Sequence, residues 1–450
     1  MQGKLAVTPP EYAVRAVRCL EAAGWEAWFV GGCVRDSLLE LSPGDWDVTT
    51  NAPPGAILKC CSGFRCIETG IQHGTVTVLI DGSPVEITTY RSDGVYLDHR
   101  HPEKVEFSRR LEDDLSRRDF TVNAMAYHPA RGLVDKFGGL ADLQNKKLRC
   151  VGDADRRFSE DALRILRCLR FASKLDFLPE AGTAEALQRK KTLLLEISHE
   201  RAKAELEKLL LGGGAEKILR QYSGVIFTVL PELAPMKGCA QETPYHCYDV
   251  WEHTLHAVGT VPPDPVLRWA ALFHDSGKPA VKTLSADGAA HFYGHGQKSV
   301  ELAEACCERL RFSNRERKAV CALIARHGEV LPISEKRMKR LLGQLGEAQL
   351  FRLLELINAD VSAQSPAIRA ERLELLQQAS ALAEEILRAG ECLTLRDLAV
   401  NGSDLLELGV PKGPALGHIL QELLDGVLAG TLPNERESLL GEAGKLSKQQ

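Results

Sequence analysis

The stretch FVGGCVRDSLLELSPGDWDVTT, residues 29–50, decides the fold class of the first part of the chain. It passes from an apolar strand-like segment through two glycines and a short helical pattern to an acid–Trp–acid triplet. If the triplet lies on a strand, its side chains alternate, so that Asp45 and Asp47 share one face and Trp46 is buried on the other. Two adjacent carboxylates repel each other unless a cation lies between them, and oxygen ligands suit Mg²⁺. The stretch therefore predicts a Mg²⁺ site on a sheet.

Two further features extend this site, a glycine pair that suits phosphate and a third acid. Gly31 and Gly32 precede the helical pattern, and the lack of a Cβ lets a phosphate approach their backbone N–H groups. Glu86 lies on a later strand, PVEITTYR, on the face opposite to its apolar neighbours, and we predict that it is a third acid of the site. Taken alone, the same residues also fit an exposed turn after a plain Gly-Gly hairpin element.

The bulk composition limits the class of protein. A chain of 450 residues is long for one core, so we expect about two to four domains. A net charge of -5 with 26% charged residues excludes a wholly basic nucleic-acid coat but leaves room for a local basic face. No signal peptide, membrane-length apolar run or CxxC pair is present, which predicts a cytoplasmic protein with reduced cysteines and no membrane partner.

The periodicity of the apolar residues divides the chain into two parts. Residues 1–150 alternate between helical and strand patterns, including a hairpin in TVTVLIDGSPVEITTYR, and predict a small α/β domain with a mixed sheet. The closing segment of this part, LVDKFGGLADLQNKKLRCVG, is predicted to form short strands and turns. From about residue 156 the pattern is helical almost to the end, and RFSEDALRILRCLRFASKL is predicted as one helix.

The motifs GGCVRD, DWDVTT, EITTYR, SRRDFTVNAMA, RFSEDALRILRCLRF and ERAKAELEKLL occur in this order between about residues 20 and 215. In this order they resemble the class II tRNA nucleotidyltransferases, which comprise bacterial CCA-adding enzymes and their poly(A) polymerase relatives. The resemblance implies a polymerase-β-like α/β nucleotidyltransferase head followed by an all-α neck, body and tail. The corresponding ranges are 1–150 for the head, 151–215 for the neck, 244–365 for the body and 366–450 for the tail.

The resemblance also implies residue roles. Asp45 and Asp47 would hold the catalytic Mg²⁺ ions, with Glu86 beside them. Asp161 and Arg164 would choose CTP and then ATP, since an acceptor and a donor can read the base edges that C and A share. The residues implied in nucleotide binding are Gly31, Gly32, Arg35, Arg117, Arg118, Asp119, Asn123, Arg157, Asp161, Arg164 and Arg167. For Asp161 and Arg164 a surface ion pair, worth about 0–1 kcal/mol, is the alternative explanation.

The segment 91–107, RSDGVYLDHRHPEKVEF, resembles the flexible loop of this family. Its polar positions are Asp93, Asp98 and Arg100. In the family the loop separates enzymes that add the final A from those that add only CC, so its presence argues against a CC-only enzyme.

A histidine set in the second half forms a separate motif. His274 and Asp275, followed by Gly277-Lys278-Pro279, resemble the pattern of an HD phosphohydrolase domain. The implied metal ligands are His253, His274, Asp275, His295, His327 and Asp360, a set that suits a transition metal such as Mn²⁺, Ni²⁺ or Fe²⁺. The domain would hydrolyse a 2′,3′-cyclic phosphate, a 2′-nucleotide or a terminal phosphate, or would serve only as the body that holds tRNA.

These observations favour a CCA-adding tRNA nucleotidyltransferase that uses CTP and ATP and acts as a monomer or homodimer. Backbone N–H groups in the tail, at the turn 409–413, would face tRNA phosphates, or the segment is a plain helical hairpin. Three alternatives remain open at this point: an A-adding enzyme or poly(A) polymerase on the same scaffold, an HD phosphohydrolase with a non-catalytic RNA-binding head, and a small-molecule nucleotidyltransferase.

Overall fold

The computed structural model describes residues 7–93, 105–243 and 245–448. The chain forms two compact units, Met1–Pro231 and Glu232–Gln450. The first unit combines a mixed sheet with helices, and the second is almost entirely helical. A mixed α/β head followed by a helical region is therefore confirmed, whereas the finer division into neck, body and tail stays a prediction.

The core of the first unit is a seven-stranded sheet. The strands of this unit are β1 (Ala27–Val30), β2 (Trp46–Thr50), β3 (Arg65–Ile67), β4 (Thr75–Ile80), β5 (Ser83–Thr89), β6 (Arg91–Asp93), β7 (Val105–Phe107), β8 (Met125–His128), β9 (Gly132–Asp135), β10 (Lys147–Leu148) and β11 (Leu178–Pro179). The sheet order is β3-β4-β5-β2-β1-β8-β9. Strands β2 and β5 run parallel and the other neighbours run antiparallel, so the predicted mixed sheet is confirmed.

The predicted hairpin is formed by β4 and β5. Its two turn residues, Asp81 and Gly82, both have positive φ, 51° and 78°, and Ile80 pairs with Ser83 on either side of them. Such a turn matches the twist of antiparallel strands, and Gly adopts positive φ without a steric cost. Along β4 every second side chain is buried, which fixes the register against the core.

Eleven α-helices lie in the described part of the first unit. They are α1 (Glu11–Ala22), α2 (Gly32–Leu38), α3 (Pro54–Cys60), α4 (Leu111–Ser116), α5 (Gly139–Gln144), α6 (Ala154–Glu160), α7 (Leu163–Leu175), α8 (Ala181–Lys190), α9 (His199–Leu210), α10 (Ala215–Gln221) and α11 (Ser223–Val229). Helix α5 corrects the prediction of short strands and turns after residue 132. The carboxylate of Asp135 accepts hydrogen bonds of 2.8 Å from the backbone N–H groups of Gly139 and Leu140, and so caps this helix from outside it.

The long helix predicted from residue 157 is interrupted, which is a second correction. Helix α6 ends at Glu160 and α7 begins at Leu163, while Asp161 has extended backbone angles, φ −140° and ψ 104°. The Asp161 carboxylate accepts a hydrogen bond of 3.1 Å from the Leu163 N–H. Because Asp competes for backbone N–H groups in this way, it favours helix ends, and the prediction of one continuous helix is wrong.

The second unit is built from helices around a core that includes Trp251, Trp269 and Phe273. Its elements are α12 (Val250–Thr260), α13 (Pro265–Phe273), α14 (Lys278–Val281), β12 (Thr283–Leu284), β13 (Ala290–His291), α15 (His295–Arg309), α16 (Asn314–Arg326), α17 (Glu335–Leu345), α18 (Glu347–Ser362), α19 (Pro366–Ala389), α20 (Gly402–Glu407), α21 (Pro414–Leu428) and α22 (Arg436–Ser447). Among the described residues, no helix has both the length and the apolar character needed to cross a membrane.

Candidate functional site

A cavity of about 760 Å³ in the first unit collects most of the predicted site residues. Its lining is strongly basic, with eight arginines and one lysine against five aspartates. The predicted residues that line it are Gly31, Gly32, Arg35, Asp45, Asp47, Arg117, Arg118, Asp119, Asn123, Asp161, Arg164 and Arg167. They come from positions more than 130 residues apart in sequence, so the fold, and not local sequence, assembles this surface.

The two aspartates lie at the start of β2 with the predicted alternation. Trp46 is buried and packs edge-on against Phe29, with ring centroids 5.2 Å apart, whereas Asp45 is exposed and Asp47 is half-buried. Asp47 pairs in register with Glu86 on the parallel neighbour β5. Burial, followed by the negative charges of Asp45 and Glu86, raises the pKa of Asp47 to about 6. Three acids at the ends of two neighbouring strands fit a divalent cation, although Glu86 itself does not line the cavity.

The raised pKa of Asp47 predicts a stability effect that is independent of catalysis. The ordinary pKa is 3.8 and the folded value about 6, so the folded state binds the proton more tightly. Stability from this group is therefore present below pH 4 and lost as the pH rises through about 6, by up to about 3 kcal/mol. We expect Asp47→Asn to raise the urea midpoint of the chelator-treated protein at pH 8, with a difference that shrinks toward pH 4. Asp81→Asn, at the exposed hairpin turn, is the control, and an unchanged midpoint for Asp47→Asn at pH 8 contradicts the expectation.

A buried acid that sequence reasoning missed orients two arginines of the cavity. Asp114 is fully buried on α4 and accepts hydrogen bonds from Arg117 at 2.5 and 3.0 Å and from Arg118 at 3.1 Å. Burial alone would raise the pKa of Asp114, but Arg117 and Arg118 lower it overall. The spacing of three and four residues in LEDDLSRR is the signal that could have identified it.

A second network holds the cavity wall formed by α7. The Asp119 carboxylate accepts hydrogen bonds from Arg167 at 2.6 Å and from Asn123 at 3.0 Å. Burial alone would raise the pKa of Asp119, but Arg167 and Asn123 hold it well below its usual range. Arg35 donates to the Asn123 side-chain oxygen at 2.6 Å and lies over the ring of Phe171, 4.9 Å from its centroid. The arginines are thus fixed in place before any ligand binds.

Asp161 and Arg164 lie in the same cavity but have different partners. Arg164 pairs with Glu160 at 2.8 Å and donates to the backbone carbonyls of Arg157 and Arg117, each at 3.2 Å. Asp161 is held by Arg201 of α9, whose Nη2 lies 3.3 Å from both carboxylate oxygens. Sequence reasoning missed Arg201, because forty residues separate it from Asp161 and no local spacing relates the two.

Besides Glu86, four residues predicted for this site are not placed in the cavity. Arg157 donates to the carbonyls of Val151 and Ser116, at 2.8 and 2.5 Å, and so supports the α6 turn from behind. Asp98 and Arg100 of the predicted loop lie outside the described residues. Asp93 ends β6, which pairs with β7, but its side chain is also outside the described part.

The histidine set of the second unit converges on Asp275 in two groups. His253, His274, Asp275 and Asp360 place one possible ligand atom each within 4.8 Å of one another, and so do Asp275, His295 and His327. The Oδ2 of Asp275 lies 3.3 Å from Nε2 of His274, and its Oδ1 lies 3.6 Å from Nε2 of His295. Asp275 therefore offers one oxygen to each group, and all six predicted ligands are brought together.

Backbone carbonyls point the imidazoles of this cluster inward. The Nδ1 atoms of His274, His295 and His327 lie 2.7, 2.9 and 2.7 Å from carbonyls of the preceding turn. An Nδ1–H that donates to a carbonyl leaves Nε2 as the ligand atom, which is the usual support of metal-binding histidines. The Nε2 atoms of His295 and His327 face each other at 3.1 Å, so a proton or a cation must lie between them.

The charges of the cluster also fit a metal. Burial alone would lower the pKa of His274, but Asp275 and Asp360 raise it to about 10. The Nε2 of His274 is buried and lacks a well-formed hydrogen bond. Lys278 supplies one positive charge, with its Nζ 2.7 Å from Asp275. A mostly buried cluster of four histidines and two aspartates, with an unsatisfied ligand atom on His274, suits a divalent cation, which would compete with the His274 proton.

Family models match three parts of the chain. They are the poly A polymerase head domain over residues 27–149, the probable RNA and SrmB-binding site of polymerase A over residues 176–237, and tRNA nucleotidyltransferase domain 2 over residues 292–443. The first match contains the aspartate pair and the arginines beside it.

Known proteins match over nearly the whole length. The CCA-adding enzyme of Limosilactobacillus fermentum is 34% identical, with 99% of this chain and 100% of the relative covered, and that of Streptococcus thermophilus is 34% identical, with 97% and 98% covered. The crystal structure of the Bacillus stearothermophilus CCA-adding enzyme in complex with CTP matches with a TM-score of 0.72 and 28% identity over 98% of this chain and 99% of that chain. The Thermotoga maritima CCA-adding enzyme complexed with tRNA matches at 20% identity with a TM-score of 0.58 over 98% and 97%, which supports the fold alone. This chain belongs to the family of CCA-adding enzymes.

Proposed function

We propose that this protein adds C, C and A to the 3′ end of tRNA from CTP and ATP and releases pyrophosphate. The observation that carries the proposal is the cavity in which Asp45 and Asp47 lie among nine basic side chains. A carboxylate pair for cations beside a basic lining for a triphosphate is what nucleotidyl transfer requires. Full-length similarity to CCA-adding enzymes identifies the class of nucleotidyl acceptor.

In this proposal the 3′-hydroxyl of tRNA attacks the α-phosphorus of the nucleotide. Asp45 and Asp47 would hold the divalent cations, Mg²⁺ in our proposal. Bound there, such ions lower the pKa of the attacking hydroxyl and neutralise the triphosphate. Arg117 and Arg118, oriented by Asp114, bind phosphate oxygens with their fork of donors. The protein therefore acts mainly by positioning and by charge.

Base selection is assigned to Asp161 and Arg164. An Asp accepts from the exocyclic amino group of C or A, and an Arg donates to the neighbouring ring nitrogen or carbonyl. G and U present the opposite polarity at this edge and would be rejected. The backbone break at Asp161 supports this role, since it turns the carboxylate out of the helix and into the cavity.

Arg201→Ala tests the support of Asp161. We expect CTP and ATP incorporation to lose about 10-fold or more in kcat/KM, because a hydrogen bond to a charged group contributes about 1.5–3 kcal/mol. Discrimination of CTP against UTP should fall in parallel, and Arg201→Lys should restore part of it. Arg189→Ala, which removes an arginine that pairs with Asp155 on the surface, is the matched control. A CTP/UTP ratio equal to that of the wild type in Arg201→Ala would remove Arg201 from base selection.

Extension of three tRNA transcripts tests the proposed activity as a whole. They end before the first C, after CC and after CCA, and each is offered every NTP with Mg²⁺. Addition of CCA to the first transcript and no extension of the last is the expected result. Addition of A to the CC transcript alone would indicate an A-adding enzyme, and long A tails would indicate a poly(A) polymerase.

We further propose that the histidine cluster of the second unit is a phosphohydrolase site of the HD type. The observation that favours it is that Asp275 belongs to two groups of candidate ligands, each of which would hold one cation. Bound there, Mn²⁺, Ni²⁺ or Fe²⁺ would activate water against a phosphoester. The substrates we propose are a 2′,3′-cyclic phosphate, a 2′-nucleotide or a terminal phosphate, and release of phosphate from these compounds tests the proposal.

A further inference from the structure

The turn between α18 and α19, residues 363–365, contacts the histidine cluster of the second unit from one side. Asp360 divides its carboxylate, with Oδ1 2.7 Å from Nε2 of His253 and Oδ2 accepting a hydrogen bond of 3.1 Å from Nε2 of Gln364. The Nδ1 of His253 lies 3.4 Å from the carbonyl of Ala363 in the same turn. One turn therefore contacts two of the six ligands, and Gln364 is itself buried, with 4% of its surface exposed.

Two arginines of α19 hold this turn. Arg369 donates to the backbone carbonyl of Gln364 at 2.7 Å, and Arg372, one helical turn later, donates to the Gln364 side-chain oxygen at 2.6 Å. An Arg only donates and a carboxylate only accepts, so the Gln364 amide has a single orientation that satisfies both neighbours. Arg372, Gln364 and Asp360 thus form a directed chain of hydrogen bonds that ends on a cluster ligand.

We propose that Gln364 and Arg372 are positioning residues that set the affinity of the second-unit cluster for its divalent cation. The proposal rests on the metal site proposed above. This chain of hydrogen bonds holds Asp360 with its Oδ1 toward the histidine cluster. The Asp360 carboxylate is therefore already oriented when a cation binds. The positive charge of Arg372 at its outer end polarises the amide and strengthens its donation to Oδ2. Hydrogen-bond partners behind metal ligands are typically worth about 10–100-fold in metal affinity.

The test is Mn²⁺ binding to the full chain, measured as free Mn²⁺ by electron paramagnetic resonance after removal of metal with a chelator. All variants are made in a protein that carries Asp45→Asn and Asp47→Asn, which is called the background. In this protein the first-unit site does not contribute to Mn²⁺ binding. We expect Gln364→Leu and Arg372→Ala each to weaken Mn²⁺ binding about 10-fold or more, and Arg372→Lys to weaken it less. The double variant should bind no more weakly than Gln364→Leu alone, because both changes break the same chain.

Two control variants separate the outcomes. Arg388→Ala removes an arginine of the same helix that is 74% exposed and should leave Mn²⁺ binding unchanged. If the background binds Mn²⁺ and Asp275→Asn, which removes a ligand from both groups, abolishes the binding while Gln364→Leu does not alter it, the positioning role is wrong and the metal site stands. If the background binds no Mn²⁺, the metal site itself is wrong. Additive losses in the double variant would show that Gln364 and Arg372 do not act through one chain of hydrogen bonds. A lower thermal midpoint of the metal-free Gln364→Leu protein with unchanged Mn²⁺ affinity would show that Gln364 is only a structural residue.

Discussion

Asp45→Ala and Asp47→Ala are each expected to lower addition of C and of A to tRNA by about 10³-fold or more. Both side chains lie at the start of β2 and line the basic cavity, where in our proposal they hold cations against the triphosphate. Loss of such an ion removes several kcal/mol of transition-state stabilisation, and about 4 kcal/mol corresponds to 10³-fold in rate. Single-turnover extension of a transcript ending in CC, with saturating ATP, measures the effect on the chemical step.

Two variants make this result specific. Asp81→Ala removes an exposed aspartate of the β4–β5 turn that pairs with Arg15, and should leave the rate of addition unchanged. CTP binding to Asp45→Ala in the absence of metal should persist, because the arginines of the cavity are oriented by Asp114 and Asp119 and not by Asp45. Addition at more than a tenth of the wild-type rate in both Asp45→Ala and Asp47→Ala would show that the cation site lies elsewhere.

The aspartate pair could be predicted from sequence because strand alternation is a local rule. A period of two places Asp45 and Asp47 on one face and Trp46 on the other without knowledge of the rest of the fold. The same holds for the hairpin at Asp81-Gly82, whose turn type follows from two adjacent residues. The family resemblance supplied the positions and the expected roles of Asp161 and Arg164. It did not supply the residues that these two side chains contact.

Contacts between distant residues could not be predicted in this way. The apolar residues follow a helical pattern through Asp161, so the pattern does not show the break there. The Asp161 carboxylate accepts a hydrogen bond from the Leu163 N–H in the folded backbone, and the sequence alone does not reveal that contact. Arg201 pairs with Asp161 across forty residues, and Gln364 reaches Asp360 only because a turn ends α18. Only the pairing of Arg201 with Asp161 is a tertiary contact, which sequence spacing does not show. The other two contacts, of Asp161 and of Gln364, are local, and they depend on where a helix ends, which the helical pattern does not fix. Asp114 differs, since its spacing to Arg117 and Arg118 is a helical pattern that was available in the sequence.

Asp275→Asn is expected to abolish metal-dependent phosphate release by the second unit and to leave CCA addition unchanged. Asp275 is buried and is the one residue shared by both ligand groups of the described chain, so its replacement removes a charged ligand from each. The amide has the same shape but is neutral, and Lys278, 2.7 Å away, would lose its counter-charge. Release of phosphate from a 2′-nucleotide and from a 2′,3′-cyclic phosphate, with Mn²⁺, Ni²⁺ or Fe²⁺ and with a chelator, measures the effect.

His295→Ala keeps this expectation testable if Asp275→Asn destabilises the protein. The His295 side chain is 27% exposed, so its loss disturbs the core less, yet it removes a ligand of the group that contains His327. We expect phosphate release to fall at least about 100-fold in His295→Ala, with normal addition of CCA as evidence of an intact fold. Phosphate release by the wild type that persists in chelator, or that His295→Ala leaves unchanged, would show that the histidine cluster is not a hydrolytic centre. The second unit would then act on tRNA only through its surface, and the cluster would serve to tie α12, α13, α15, α16 and α18 together.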